Sequence, residues 1–379
     1  MKEKMINFKV RVKVFLVLVS LLIVTVISGC VPKAPVPEKL MSFVSAQGTE
    51  FIVDGKPFRF IGAFAQNPVT ERLYNVLHYQ NYKSAIDNYL ETLPPNVNVI
   101  RIFAYGPYSK SQYGYDKPNW ERLDYLAKSA EKHGVYIIWA LYDSWDYGAT
   151  GPPENYQYKF WKDDKAKEIM LAQVSRYKNS PAIFGWELMN EGDYQAPGSD
   201  DEREEMLGWV DDVSKAIKAI DSTHLISTGF SNENLRELNF MYPDAYQSRR
   251  DFILRTYELP NMDFVTFHAY GGNPDLQTDA SFWTEEVRSQ LIWYFGEMVK
   301  IREEVSKPVI AEEFGTQRQV GEPVRRQVYE FYLGQLLTNH ISGCFNTWDD
   351  DKTPRSLGVY TYDEEYSAVI DAAQKIKTR

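Results

Sequence analysis

Residues 182–191 read Ala-Ile-Phe-Gly-Trp-Glu-Leu-Met-Asn-Glu, and residues 308–315 read Pro-Val-Ile-Ala-Glu-Glu-Phe-Gly. Each is a strongly apolar run that closes on a carboxylate, the pattern of a buried strand with a charged end. Further β-rich runs begin near Phe60, Asn98, Val135, His224, Asp263 and Ile341, making eight with Ala182 and Pro308. From Asn98 onward the starts lie 33 to 47 residues apart, room for a strand, a crossover helix and loops. The segment after the second run supports helices there: Trp120, Leu123, Ala127 and Ala130 recur at helical spacing, and His133-Gly134 supplies a stop. Upstream, Phe51-Ile52-Val53 and Pro57-Phe58-Arg59-Phe60 flank Asp54-Gly55-Lys56 and predict an opening β-hairpin.

Eight strand runs alternating with helices predict an α/β fold, a (β/α)8 TIM barrel over residues 43–379. The first strand lacks the Gly-rich phosphate turn of a doubly wound sheet, and no composition shift marks a second domain. Ser199-Asp200-Asp201-Glu202 has the form of a capping box, its acids suiting a helix N-terminus at a solvated surface.

With 44% hydrophobic and 25% charged residues in 379, the chain can build a large core. Its formal charge of -10 argues against nucleic acid and favours a neutral ligand. The 9 Trp, 26 Tyr and 20 Phe exceed what a core needs, and flat faces with polar edges are what sugar rings stack on. The first 29 residues carry five positive side chains and then the apolar run Val14 to Ile27, too short for a spanning helix. This reads as an export signal. Ile27-Ser28-Gly29-Cys30 resembles a bacterial lipoprotein signal, which implies a lipidated Cys30, a Pro-rich tether over residues 30–42 and a membrane-anchored protein at the cell envelope. With Cys30 lipidated, Cys344 has no disulfide partner, and a monomer held by packing is expected.

In a barrel of this kind the reactive groups gather at the C-terminal strand ends, so the carboxylates closing the fourth and seventh strands are the first candidates. A carboxylate at the edge of an apolar layer loses hydration and must be paired or used. Two acids about 5 Å apart across one cleft suit a retaining glycosidase. From spacing alone, a structural ion pair at the rim explains them equally well.

Trp186-Glu187-Leu188-Met189-Asn190-Glu191 together with Glu312-Glu313-Phe314-Gly315 resembles glycoside hydrolase family 5 of clan A, and within it the endo-β-1,4-mannanases. Asn98-Val99-Ile100-Arg101, Phe267-His268-Ala269-Tyr270 and Asn346-Thr347-Trp348 match the family in the same order. The resemblance implies Glu191 as general acid/base and Glu313 as nucleophile, with Arg101 keeping Glu313 ionised. It also implies Asn190 on the sugar 2-hydroxyl, His268 and Tyr270 orienting sugar and nucleophile, and Trp348 as stacking floor. Trp145 is a further platform candidate. Strand alternation would send Glu312 and Glu313 to opposite faces, leaving Glu312 structural. Glu187 should point into the barrel as the buried partner of an Arg. The chain departs from the mannanase pattern after Asn190-Glu191, where Gly192-Asp193 replaces the usual Pro-Arg.

His78, His133, His224 and His340 are too scattered for a helical metal pair, so neither a catalytic metal nor a cofactor is expected. The substrate implied is β-1,4-linked polysaccharide, mannan or glucomannan, with β-glucan hydrolysis or exo action as the nearest alternative. A non-catalytic glycan-binding lipoprotein has no need of both acids with Arg101, Asn190, His268 and Tyr270. A two-lobed solute-binding lipoprotein is disfavoured by the eightfold alternation.

Overall fold

The computed structural model describes residues 41–64, 82–103, 120–142, 164–195, 200–272, 277–346, 359 and 363–377. Eight parallel strands form the centre: β4 (Ile61–Phe64), β5 (Val99–Phe103), β6 (Tyr136–Ala140), β7 (Ile183–Glu187), β8 (Leu225–Ser227), β9 (Val265–Ala269), β10 (Val309–Phe314) and β11 (Ser342–Asn346). Their order is β8-β7-β6-β5-β4-β11-β10-β9, so β8 and β9 meet across the remaining seam. There the Asp263 N–H donates to the Ile226 carbonyl at 2.7 Å and the Ser227 hydroxyl to the Phe264 carbonyl at 2.8 Å. The Asp263 carboxylate accepts the Ile226 N–H at 2.8 Å. The result is the expected TIM barrel, nearly closed.

Around it run α1 (Tyr82–Glu91), α2 (Trp120–His133), α3 (Asp164–Tyr177), α4 (Asp200–Ile220), α5 (Asn234–Met241), α6 (Pro243–Glu258), α7 (Glu285–Val305), α8 (Val324–Asn339) and α9 (Glu365–Ile376). Two cores result. Ile137, Trp139, Ile183, Trp186 and Phe267 face outward into the layer under the helices, while Val99, Phe103, Ile138, Phe184 and Ile310 fill the barrel interior. In α2, Leu123, Leu126, Ala127 and Ala130 are buried as the periodicity requires. Gly134 takes the left-handed conformation, φ +68°, that ends the helix. Among the described residues no helix is long and apolar enough to cross a membrane.

The opening segment differs from the predicted hairpin. It is a three-stranded antiparallel sheet of β1 (Ser45–Gln47), β2 (Glu50–Val53) and β3 (Lys56–Pro57). β1 carries no strand signal, because Ser45-Ala46-Gln47 has neither β-branched nor aromatic residues. From β2, Phe51 enters the inner core, its ring centroid 4.9 Å from Phe184 and 5.7 Å from Phe264. Phe184 and Phe264 lie at the starts of β7 and β9. The small sheet therefore plugs the N-terminal mouth and leaves the opposite end for chemistry. Met41 packs on the core and the Tyr136 hydroxyl donates to the Ser42 carbonyl at 2.8 Å, so contacts with the barrel begin within the expected tether.

β7 and β10 each break register with a neighbour. Ile137 and Ile138 of β6 pair with Ile183 and Gly185 of β7, and Phe267 and His268 of β9 pair with Ala311 and Glu313 of β10. Each break inserts one residue, Phe184 and Glu312 respectively, as in a β-bulge. In β10 the outer core holds Ala311 and Phe314 and the inner core Ile310, so both Glu312 and Glu313 turn inward to Arg101. The expectation of opposite faces is thereby corrected: alternation fails where an extra residue enters the strand.

Candidate active site

Arg101, the middle residue of β5, is the hub of the barrel's C-terminal end. It is fully buried, its guanidinium 5.0 Å from the Phe64 ring centroid and 5.2 Å from that of Phe103. Its Nε donates to Glu187 Oε2 at 2.9 Å, Nη1 to Glu313 Oε1 at 2.5 Å and Nη2 to Asn190 Oδ1 at 3.0 Å. Burial alone would push the guanidinium pKa down, but the carboxylates of Glu187, Glu312 and Glu313 raise it well above its ordinary range. Glu187 is the inward structural partner that strand parity suggested, and Asn190 is ordered by the same cation.

Glu312 is also fully buried, with Oε2 3.5 Å from Arg101 Nη2. Neither of its oxygens accepts a hydrogen bond. Burial, reinforced by the Glu187 charge, raises its pKa well above the carboxylate range despite Arg101. Burial thus favours the protonated form of Glu312, which can donate its proton to Glu187. This relieves a core that would otherwise hold three anions against one cation.

Glu313 receives a second hydrogen bond, from the Tyr270 hydroxyl to Oε2 at 2.6 Å, and Tyr270 in turn accepts from Asn346 Nδ2 at 3.1 Å. Burial, then the Glu313 charge, raises the Tyr270 pKa well above its usual value, so it remains a donor. Across the cleft, Glu191 Oε1 lies 2.8 Å from His268 Nδ1. Burial lowers the His268 pKa to about 4, so the ring is neutral at physiological pH and Nδ1–H donates to Glu191. Glu191 is the more open acid, its side chain 14% exposed against 7% for Glu313.

One carboxylate oxygen each of Glu191 and Glu313 and a ring nitrogen of His268 lie within 4.8 Å of one another, so the two acids face each other at close range. Such a trio could hold a cation. The guanidinium already on Glu313 opposes a second positive charge there, whereas the space suits acid/base and nucleophilic work on one atom.

Six residues anticipated from the sequence therefore converge: Arg101, Asn190, Glu191, His268, Tyr270 and Glu313. Trp145, Trp348, His78 and Cys30 lie outside the described residues. Asn346, Asp193 and Arg249 were not anticipated as contributors. Asn346 stood within a quoted motif, and Asp193 stood at the departure from Pro-Arg, a signal that could have found it.

A (β/α)8 barrel with two facing carboxylates at the C-terminal strand ends is the architecture of a glycoside hydrolase. Residues 62–352 match the family described as "Cellulase (glycosyl hydrolase family 5)". The chain belongs to glycosyl hydrolase family 5. It is 30% identical over 263 residues to the "Probable mannan endo-1,4-beta-mannosidase A" of Aspergillus clavatus, covering 65% of this chain and 68% of that one. The endo-1,4-beta-mannanase structure from Rhizomucor miehei superposes with a TM-score of 0.68 at 22% identity, over 89% of this chain and all of that one. A β-glucanase structure from Saccharophagus degradans superposes at 0.56 and 18% identity, over 91% and 98%. The chain spans about two thirds of the length of the first curated relatives it matches.

Proposed function

We propose that this protein is an endo-acting β-1,4-mannanase that cleaves mannan or glucomannan with retention of configuration, Glu313 as nucleophile and Glu191 as acid/base. The observation that carries the mechanism is that an oxygen of each carboxylate lies within 4.8 Å of the other. So close an approach of their oxygens favours the ~5 Å carboxyl separation of retaining enzymes over the ~6.5–9.5 Å of inverting ones. Glu313, held by Arg101 and Tyr270, attacks the anomeric carbon while Glu191 gives its proton to the departing oxygen. Glu191 then takes a proton from water, which releases the covalent sugar. Asn190 would meet the 2-hydroxyl, and Trp348 and Trp145 would stack on sugar rings.

The preference for mannan rests on the mannanase relatives, since a barrel of this shape also serves a β-glucanase. Reducing-sugar release from mannan, glucomannan, cellulose and xylan tests it: activity confined to cellulose would replace mannan by glucan. Glu191→Gln and Glu313→Gln should each abolish release, and full activity in either would remove that residue from its role. The domain is further proposed to be a monomer, exported and anchored to the bacterial cell envelope by lipid on Cys30. Loss of membrane association in Cys30→Ala tests the anchor.

A further inference from the structure

Glu191 has a backbone φ of +51°, a left-handed conformation that costs a non-glycine residue about 1–2 kcal/mol. Something in the fold must hold it there, and the chain after it supplies the means. Asp193 is fully buried and its carboxylate collects four donors. Oδ1 accepts the Ser231 N–H at 2.8 Å, while Oδ2 accepts the Asn232 N–H at 2.8 Å, the Ser231 hydroxyl at 3.3 Å and Arg249 Nη2 at 2.7 Å. Arg249, on α6, is also buried and lies 5.4 Å from the Phe252 ring centroid.

The segment that Asp193 grips is the one that aligns Glu191 and its partner. The Glu191 N–H donates to the Gly229 carbonyl at 2.9 Å, and the Ser231 carbonyl accepts the His268 N–H at 2.8 Å. Gly229 has φ +76°, and a Cβ there would lie 2.5 Å from the Met189 carbonyl, so the loop after β8 approaches the Asn190-Glu191 turn as closely as backbone allows. The constraints close on themselves. Glu191 is two bonded residues from Asp193, Asp193 holds Ser231, Ser231 holds the His268 backbone, and the His268 ring holds the Glu191 carboxyl.

We propose that Asp193, charge-paired with Arg249, is a positioning residue that locks Glu191 in its left-handed turn and sets the distance of its carboxyl from the scissile oxygen. The assignment rests on Glu191 being the acid/base. It also accounts for Gly192-Asp193, because this chain uses the segment after Glu191 to brace the acid internally.

The test uses aryl β-mannooligosaccharides whose leaving groups span a range of pKa, with the full enzyme, Asp193→Asn, Asp193→Ala and Glu191→Gln. General acid/base catalysis contributes about 10²–10⁴-fold, and a misplaced acid should forfeit part of it. Asp193→Ala is expected to lower kcat/KM roughly 10- to 100-fold for poor leaving groups and only a few-fold for a dinitrophenolate, which needs no protonation. Asp193→Asn, which keeps one acceptor oxygen, should fall between, and azide should restore turnover where release of the covalent sugar limits. Equal losses for good and poor leaving groups in both variants would overturn the proposal and make Asp193 a general stabiliser. If Asp193→Ala does not fold, the leaving-group dependence of Asp193→Asn decides alone. A Glu191→Gln enzyme indifferent to leaving group would overturn the acid/base assignment itself. Dependence in Glu191→Gln but not in the Asp193 variants would overturn only the bracing role.

Discussion

Replacing Glu312 by glutamine should stabilise the protein increasingly as pH rises, an unusual outcome for a fully buried glutamate beside an arginine. The substitution keeps the side chain's shape and offers Glu187 an N–H where the carboxylic acid offered an O–H. What it removes is a titration. Below about pH 4.3, the ordinary glutamate pKa, folded and unfolded wild-type chains both carry the Glu312 proton. Above it the unfolded chain releases the proton while the folded chain retains it, because burial and the Glu187 charge hold its pKa well up. The folded state then binds more protons, so wild-type stability from this residue falls with pH, by about 1.4 kcal/mol per unit until the folded pKa is reached. Glutamine has no such slope. Urea denaturation at pH 5.5, 6.5 and 7.5 should show the variant gaining on wild type as pH rises, at no more than about 1.4 kcal/mol per unit. Glu187→Gln should behave oppositely, since it strips Arg101 of the fully buried carboxylate on its Nε and Nη2: breaking a buried pair costs about 3–5 kcal/mol, offset in part as Glu312 ionises in its place. A Glu312→Gln difference that stays flat across pH would refute the reasoning, because it would mean that Glu312 is ionised in the folded protein.

Tyr270→Phe deletes the 2.6 Å hydrogen bond to Glu313; a bond to a charged group is worth about 1.5–3 kcal/mol, so kcat should fall roughly 10- to 150-fold with the fold intact by circular dichroism. Phe51→Ala empties the aromatic plug at the far mouth and should lower unfolding free energy by about 3–5 kcal/mol while leaving kcat/KM at 25 °C unchanged. His268, with its pKa lowered to about 4, should remain neutral in nitrogen-detected NMR throughout pH 5 to 8. Because the unfolded ring protonates near 6.5, the stability it contributes above that pH should be lost progressively as pH falls toward 4.

The barrel was legible because each strand carries a dense apolar run and each interval holds a helix; the eight starts expected near Phe60, Asn98, Val135, Ala182, His224, Asp263, Pro308 and Ile341 fall within two residues of those found. Glu191 and Glu313 were legible as candidates for a related reason, since side chains at one end of parallel strands must meet, and Glu187 by its strand parity with Glu191; Arg101, Asn190, His268 and Tyr270 were legible only through the resemblance to glycoside hydrolase family 5. The orientation of Glu312 was not legible, because alternation presumes an unbroken register and the bulge in β10 is set by pairing with β9 and β11. Nor was the grip of Asp193 on Ser231, Asn232 and Arg249, whose partners lie 38 to 56 residues away in sequence. Loop residues satisfy buried polar groups through tertiary contacts that leave no local periodicity to read.

The most direct measurement of the central claim is the anomeric configuration of the first product released from a β-1,4-mannooligosaccharide, followed by proton NMR before mutarotation. An approach of the two carboxylates' oxygens to within 4.8 Å with Glu313 as nucleophile predicts that the β-anomer appears first. Initial appearance of the α-anomer would contradict the double displacement and the roles given to Glu191 and Glu313.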